Sequence, residues 1–127
     1  MGDLQISIKI KGMIKMNKTV FFAFTGNMMC FQHILLNALD LDSKGKEAAI
    51  VIEGEAVTLM QKLEESNNKH YFEAKKRALI DCICKACSAQ LGVLEYNQEL
   101  DIPLKGNMSG HPAMESYIEQ GFQVITL

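Results

Sequence analysis

Apolar and polar positions follow two different periods along the chain, and the places where the period changes divide it into strands and helices. Thr19 to Thr25, TVFFAFT, is a continuous apolar run, as a central parallel strand needs when helices cover both its faces. Gly26 allows a tight exit and Asn27 is a good helix cap. Phe31, Ile34, Leu35, Ala38 and Leu39 then recur at the spacing of a helix of about three turns. Ser43 to Gly45 close that helix. Glu47 to Glu53, with AAIVI at its centre, predicts a second buried strand broken by Gly54. Ala56, Leu59, Met60 and Leu63 form the inner stripe of a second helix, and Tyr71 to Ala78 fits a further short one.

Leu79 to Leu91 reads in two ways. Ile80, Ile83, Cys84, Cys87 and Leu91 fit one face of a helix, whereas a strand to Cys84 followed by a helix suits the alternation of strands and helices that builds a parallel sheet. The second reading is adopted, partly on this alternation and partly on the family resemblance given below. Beyond Gly92, residues 102–104 predict a short strand and residues 105–110 a loop. His111-Pro112 would open a last helix with Met114, Tyr117 and Ile118 on its inner face, ended by Gly121. Phe122 to Leu127 is a C-terminal strand. The sum is an α/β chain, a flavodoxin-like three-layer sandwich with a mostly parallel sheet of about five strands and helices on both faces. Residues 18–127 make a single domain. Residues 1–17 are either an extension or an added edge strand, since Leu4, Ile6, Ile8 and Ile10 alternate with polar residues and the lysines among these discourage further pairing.

Composition narrows the function. Thirteen basic residues against fifteen acidic give a net charge of -2 without clustering, so no nucleic-acid footprint is present. No apolar run approaches the roughly 20 residues of a membrane span, which argues for no membrane partner. The first residues carry lysines but no apolar block of a secretory signal, so a cytoplasmic location is expected. In that compartment crowded cysteines serve catalysis, redox chemistry or metal binding more often than structural disulfides.

Three of the four cysteines lie in one short stretch, Leu79 to Gly92, LIDCICKACSAQLG. Cys84 and Cys87 form C-x-x-C, a spacing that lets one thiol attack a sulfur and the other resolve the product. A helix start and the adjacent Lys85 would both favour the thiolate. The bland alternative is a set of inert thiols packed as small hydrophobes. In an open parallel sheet the usable crevice lies beyond the carboxyl ends of the strands, and in the flavodoxin-like order the first and third strands are neighbours there. That would bring the loop of Gly26, Asn27, Met28, Met29 and Cys30 beside Cys84 and Cys87, with Glu53 and His111 on the same rim. Cys30, His33 and Asn37 share a helical stripe, so His33 is a candidate base, while His70 reads as solvated. No glycine-rich phosphate motif is present and no cofactor is assigned. Zinc, copper(I) or an iron-sulfur cluster held by Cys84, Cys87, Cys30 and a histidine is the secondary expectation.

The segments TVFFAFTGNMMCFQHILLNALDL, AAIVIEGEA, LIDCICKACSAQLGV and SGHPAMESYIEQGFQVITL together resemble the DsrE/DsrF-like family of small cytoplasmic proteins, over about residues 18–127. The resemblance implies a flavodoxin-like sandwich, self-association into dimers, trimers or hexamers, and sulfur carried as a persulfide between protein donors and acceptors. It puts the working cysteine at Cys84. Leu91 stands where an arginine is usual and Cys87 is an addition, so the GHP and MMC segments mark a divergent branch. The expectation is a sulfur carrier or thiol redox protein, sulfurtransferase-like, with Cys84 accepting the sulfur, Cys87 resolving it, and Cys30, His33 and His111 shaping the pocket. Its rival is a non-catalytic module that binds a metal or small ligand at the same cluster.

Overall fold

In a computed structural model, which describes residues 17–127, the apolar run after Lys18 becomes the interior of a sheet. The strands are β1 (Lys18–Ala23), β2 (Glu47–Ile52), β3 (Ile80–Cys84), β4 (Leu104–Lys105) and β5 (Gln123–Thr126). They pair in parallel, in the order β4-β3-β2-β1-β5. The alternation of Leu4 to Ile10 lies outside the described residues.

The expected α/β sandwich is present, and its strand order differs from the expected one. β2 lies between β1 and β3, so the first and third strands do not touch. From β1 the chain steps outward through β2 and β3 to β4, then returns to place β5 on the other side of β1. Helix α1 (Met28–Ser43), a 3-10 turn (Gly54–Leu59) running into α2 (Met60–Glu65), α3 (Lys69–Lys76), α4 (Lys85–Gln90) and α5 (Leu94–Gln98) all fall in the outward half of the chain. The short α6 (Glu115–Glu119) belongs to the return.

The pleat divides the core accordingly. Phe21, Ala23, Ile50, Ile52 and Ile83 face Phe31, Ile34 and Leu35 of α1 and Met60 and Leu63 of α2. Val20, Phe22, Val51 and Cys82 face the opposite way, against Tyr117 of α6. Successive residues of β1 and β2 alternate between the two layers, as a period of two requires, whereas β3 carries an irregularity that puts Ile80 and Cys82 on opposite sides. Each large side chain so buried contributes about 1.5–3 kcal/mol of transfer free energy.

Two local differences from expectation follow β3. α5 lies between Gly92 and Ile102, where no element was expected. The last helix begins at Glu115 rather than at His111-Pro112. Met108 and His111 instead exchange backbone hydrogen bonds of 2.8 and 2.9 Å, and Ser109 and Gly110 between them both have positive φ, 49° and 94°. Those are the φ signs of a tight type I′ hairpin turn, which holds His111 on an extended strap. Among the described residues no helix is long and apolar enough to cross a membrane.

Candidate metal centre

Cys84 is the last residue of β3 and the N-cap of α4, so its backbone direction is set by the sheet and its side chain by the helix start. Its Sγ accepts the Cys87 N–H at 3.4 Å. A buried polar chain fixes the strand end from behind: Ser88 Oγ donates to the Cys84 carbonyl at 2.8 Å, and Asn97 Nδ2 donates to Ser88 Oγ and to the Val57 carbonyl, each at 3.1 Å. α5 therefore acts as a brace, because it carries Asn97. One turn into α4, Cys87 is partly exposed and its Sγ accepts the Gly54 N–H at 3.3 Å.

Glu53 follows β2 directly and is tied to β1 by its N–H, which donates to the Ala23 carbonyl at 2.8 Å. It is 5% exposed, a rare state for a carboxylate. Gly54, at φ 51°, turns the chain so closely over β1 that a Cβ there would stand 2.9 Å from the Phe24 carbonyl oxygen. On the far side, the Gly110 carbonyl accepts the Ala86 N–H at 2.8 Å and docks the 108–111 strap against α4. The approach has no room for a side chain, since a Cβ on Gly110 would meet Ala86 Cβ at 2.8 Å.

These elements aim four donor side chains at one point. Ligand atoms of Glu53, Cys84, Cys87 and His111 all lie within 4.8 Å of one another. His111 Nδ1 is the hub, 3.1 Å from Cys84 Sγ, 3.5 Å from Cys87 Sγ and 3.5 Å from Glu53 Oε1. In a thiol–imidazole–carboxylate relay the carboxylate holds the ring nitrogen remote from the thiol, leaving the other to take the proton. Here one nitrogen faces all three partners, and a ring nitrogen can donate or accept along one direction only. The arrangement suits a cation at the common focus better than a proton relay. Around a tetrahedral zinc with bonds of about 2.0–2.3 Å, ligand atoms stand roughly 3.3–3.8 Å apart, close to the separations found.

The electrostatics agree. Burial raises the Glu53 pKa above its ordinary value, partly offset by its hydrogen bond to Cys84 and by His111. Burial also pushes the Cys84 thiol up to about 12, against the lowering effect of the Cys87 N–H. Among the described residues, the basic side chain within ion-pair reach of Glu53 is His111. Burial thus disfavours the anionic forms of Glu53 and Cys84, a cost that a bound metal ion would offset.

The remaining candidates are placed elsewhere. Cys30 is exposed in the first turn of α1 and is not in the group, a correction that follows from β2 standing between β1 and β3. Asn27 caps α1 by accepting the Cys30 N–H at 3.0 Å, and Met28 packs against the core. Met29 is 73% exposed. A Cβ on Gly26 would meet Glu55 Cβ at 3.0 Å, so that loop lies against the 3-10 turn. His33 is exposed on α1 and His70 is half-buried in the first turn of α3. Cys82 faces the opposite layer, where burial raises its pKa to about 11. The Gly54 N–H, the Gly110 carbonyl and the Ser88–Asn97 brace carried no sequence signal beyond the two glycines themselves.

The chain is 33% identical over 103 residues to the uncharacterized protein MJ0733 of Methanocaldococcus jannaschii, covering 80% of this chain and 83% of that one. It is 36% identical over 56 residues to an uncharacterized protein of Archaeoglobus fulgidus, covering 42% of this chain and 92% of that one. No protein-family model and no solved structure matches the chain.

Proposed function

The chain belongs to the family of the Methanocaldococcus jannaschii protein MJ0733, and we propose that it is a metal-binding protein holding a zinc-class divalent cation through Cys84, Cys87, His111 and Glu53. The observation that carries this reading is the approach of two sulfurs and a carboxylate oxygen to the same nitrogen, His111 Nδ1. Two thiolates, an imidazole and a carboxylate form a mixed set that suits zinc, with iron(II) and cobalt(II) as chemical neighbours. Cys84 comes from a strand end and Cys87 from the helix it caps, so C-x-x-C supplies two ligands from one rigid joint. Glu53 and the hairpin strap bring the other two from neighbouring loops.

Cobalt(II) titration of protein freed of metal tests it. The expected result is about one equivalent bound per chain, with an intense sulfur-to-cobalt charge-transfer band and the strong visible bands of tetrahedral cobalt. Cys84→Ser and Cys87→Ser would each weaken the charge-transfer band, and His111→Ala would lower affinity by a hundredfold or more. Absence of a thiolate band in the unaltered protein rejects the proposal.

A second reading is the DsrE/DsrF-like one, in which C-x-x-C carries a persulfide between partner proteins. One contact favours it: Cys87 is the more open thiol of the pair and receives the Gly54 N–H, a donor suited to a sulfur anion. Cys87 is then the entry point and the buried Cys84 the resolving thiol, the reverse of the order expected from the resemblance. Mass spectrometry after treatment of metal-free protein with inorganic polysulfide would find the added sulfur on Cys87. Loading that survives Cys87→Ser unchanged removes this reading.

A further inference from the structure

A chamber of about 390 Å³ opens beside the four-donor cluster, walled by Phe24, Met108, Pro112, Ala113 and Met114. Its polar members are Glu53 and His111, which belong to the cluster, and Glu115. Cys84 and Cys87 do not line it, so the cluster presents its carboxylate–imidazole edge to this space and keeps both sulfurs behind. The walls come from three parts of the chain: the end of β1, the hairpin strap, and the segment leading into α6. Phe24 and Met108 are large apolar side chains left 38% and 52% exposed, and both stand at this chamber. An apolar cavity of a few hundred Å³ with a few convergent polar groups is the usual form of a small-molecule site.

We propose that this chamber is a substrate pocket taking a small, uncharged molecule with an apolar body, which it presents to the Glu53–His111 edge of the cluster. Charge decides the class. Among the described residues neither a lysine nor an arginine lines the space, and the Glu115 carboxylate stands at its border, so an anion of the same shape meets repulsion there and finds no permanent cation to offset it. The pocket itself does not depend on the metal reading; what the molecule meets at its floor does.

Protein labelled with [methyl-13C]methionine provides the test, with benzyl alcohol as the probe and benzoate as its anionic counterpart. Benzyl alcohol is expected to shift the Met108 and Met114 methyl signals saturably, leaving the Met60 signal in the core unmoved, and benzoate to bind at least tenfold more weakly. Ala113→Leu, which pushes a larger side chain into the chamber, is expected to weaken the saturable shift at least tenfold, and an unchanged Met60 signal in that variant shows that the core is intact. Equal shifts from both probes, or shifts confined to Met29 on α1, overturn the proposal. Repeating the titration on cobalt(II)-loaded protein separates the two readings. Broadening of the bound probe's proton signals upholds the placement against the cluster, and cobalt uptake without broadening overturns it. If no cobalt is taken up but the methionine shifts remain saturable and selective, the metal reading fails and the pocket stands.

Discussion

Cys84 Sγ and His111 Nδ1 stand 3.1 Å apart although 27 positions of chain separate them. The contact depends on Gly110, whose carbonyl binds the α4 backbone at Ala86 and whose missing side chain lets the strap approach. The loop from β4 is long enough to pass the end of β3 at many distances, and the glycine selects the near one.

Gly110→Ala therefore separates the two ligands. The added methyl overlaps Ala86 and the φ of 94° is strained for any other residue, so destabilisation of about 1–3 kcal/mol and a metal affinity at least tenfold lower are expected. Gly92→Ala is the control, because Gly92 also has positive φ, 75°, but a Cβ there meets nothing within 4 Å. It would cost about 1 kcal/mol and leave affinity unchanged. Isothermal titration with zinc, together with urea melts, compares the pair.

Metal affinity should rise with pH across neutrality. Cys84 is held protonated in the metal-free protein because burial pushes its thiol up to about 12. Coordination must expel that proton, and each proton released makes the apparent constant about tenfold tighter per pH unit. Competition titrations between pH 6 and pH 8 measure the slope. A flat profile would contradict thiolate ligation.

Alkylation of the metal-free protein should rank the thiols by exposure and charge. At pH 8 a thiol with a pKa near 12 is ionised in only about one molecule in ten thousand, so Cys84 reacts far more slowly than the exposed Cys30. Cys82, buried in the opposite layer, is slow as well. Addition of zinc should protect Cys87 and leave Cys30 unchanged. Peptide mapping of iodoacetamide adducts over time reads all four.

Glu53 makes stability fall as pH rises in the metal-free state. Its folded pKa is above the unfolded one because burial penalises its charge. Its contribution to stability is thus fully present below the unfolded value and is lost as pH climbs through the folded one. Glu53→Gln removes this slope, so urea midpoints of the variant measured without metal should match or exceed those of the unaltered protein at pH 8. Zinc reverses the order, since the variant lacks an anionic ligand.

Tyr117→Phe isolates the other layer. The Tyr117 hydroxyl donates to Asp81, which also pairs with Lys105 at 3.1 Å, and the ring packs edge-on against Phe22. Loss of the hydroxyl should cost about 1–2 kcal/mol while cobalt stoichiometry and spectrum stay the same. A change in the cobalt bands would show that the two faces of the sheet are coupled.

The elements were legible where one period ran long. TVFFAFT and AAIVI gave β1 and β2, and the stripe Phe31, Ile34, Leu35 and Ala38 is buried in α1. At β3 periodicity was indifferent between strand and helix, and the alternation of elements together with the DsrE/DsrF-like resemblance decided in favour of the strand that is present. Strand order carries no local mark: whether β1 lies beside β2 or β3 depends on how whole layers pack, and that misplacement drew Cys30 into the wrong neighbourhood. His111-Pro112 looked like a helix start because proline is tolerated there, but two residues of positive φ turn the chain into a hairpin instead. The hydrogen bonds that aim the donors come from backbone groups and from the buried Ser88 and Asn97 side chains, which no hydrophobic period marks.

β4 pairs with β3 through just two residues, Leu104 and Lys105, and carries the strap with His111 beyond it. An edge so short is the part of the sheet most readily peeled away, and its amides should be among the first to exchange with deuterium when the centre is empty. An ion bound to His111 and to Cys84 would rivet that margin to the middle of the molecule. Occupancy would then register as slowed exchange along 104–111, far beyond the atoms that touch the metal.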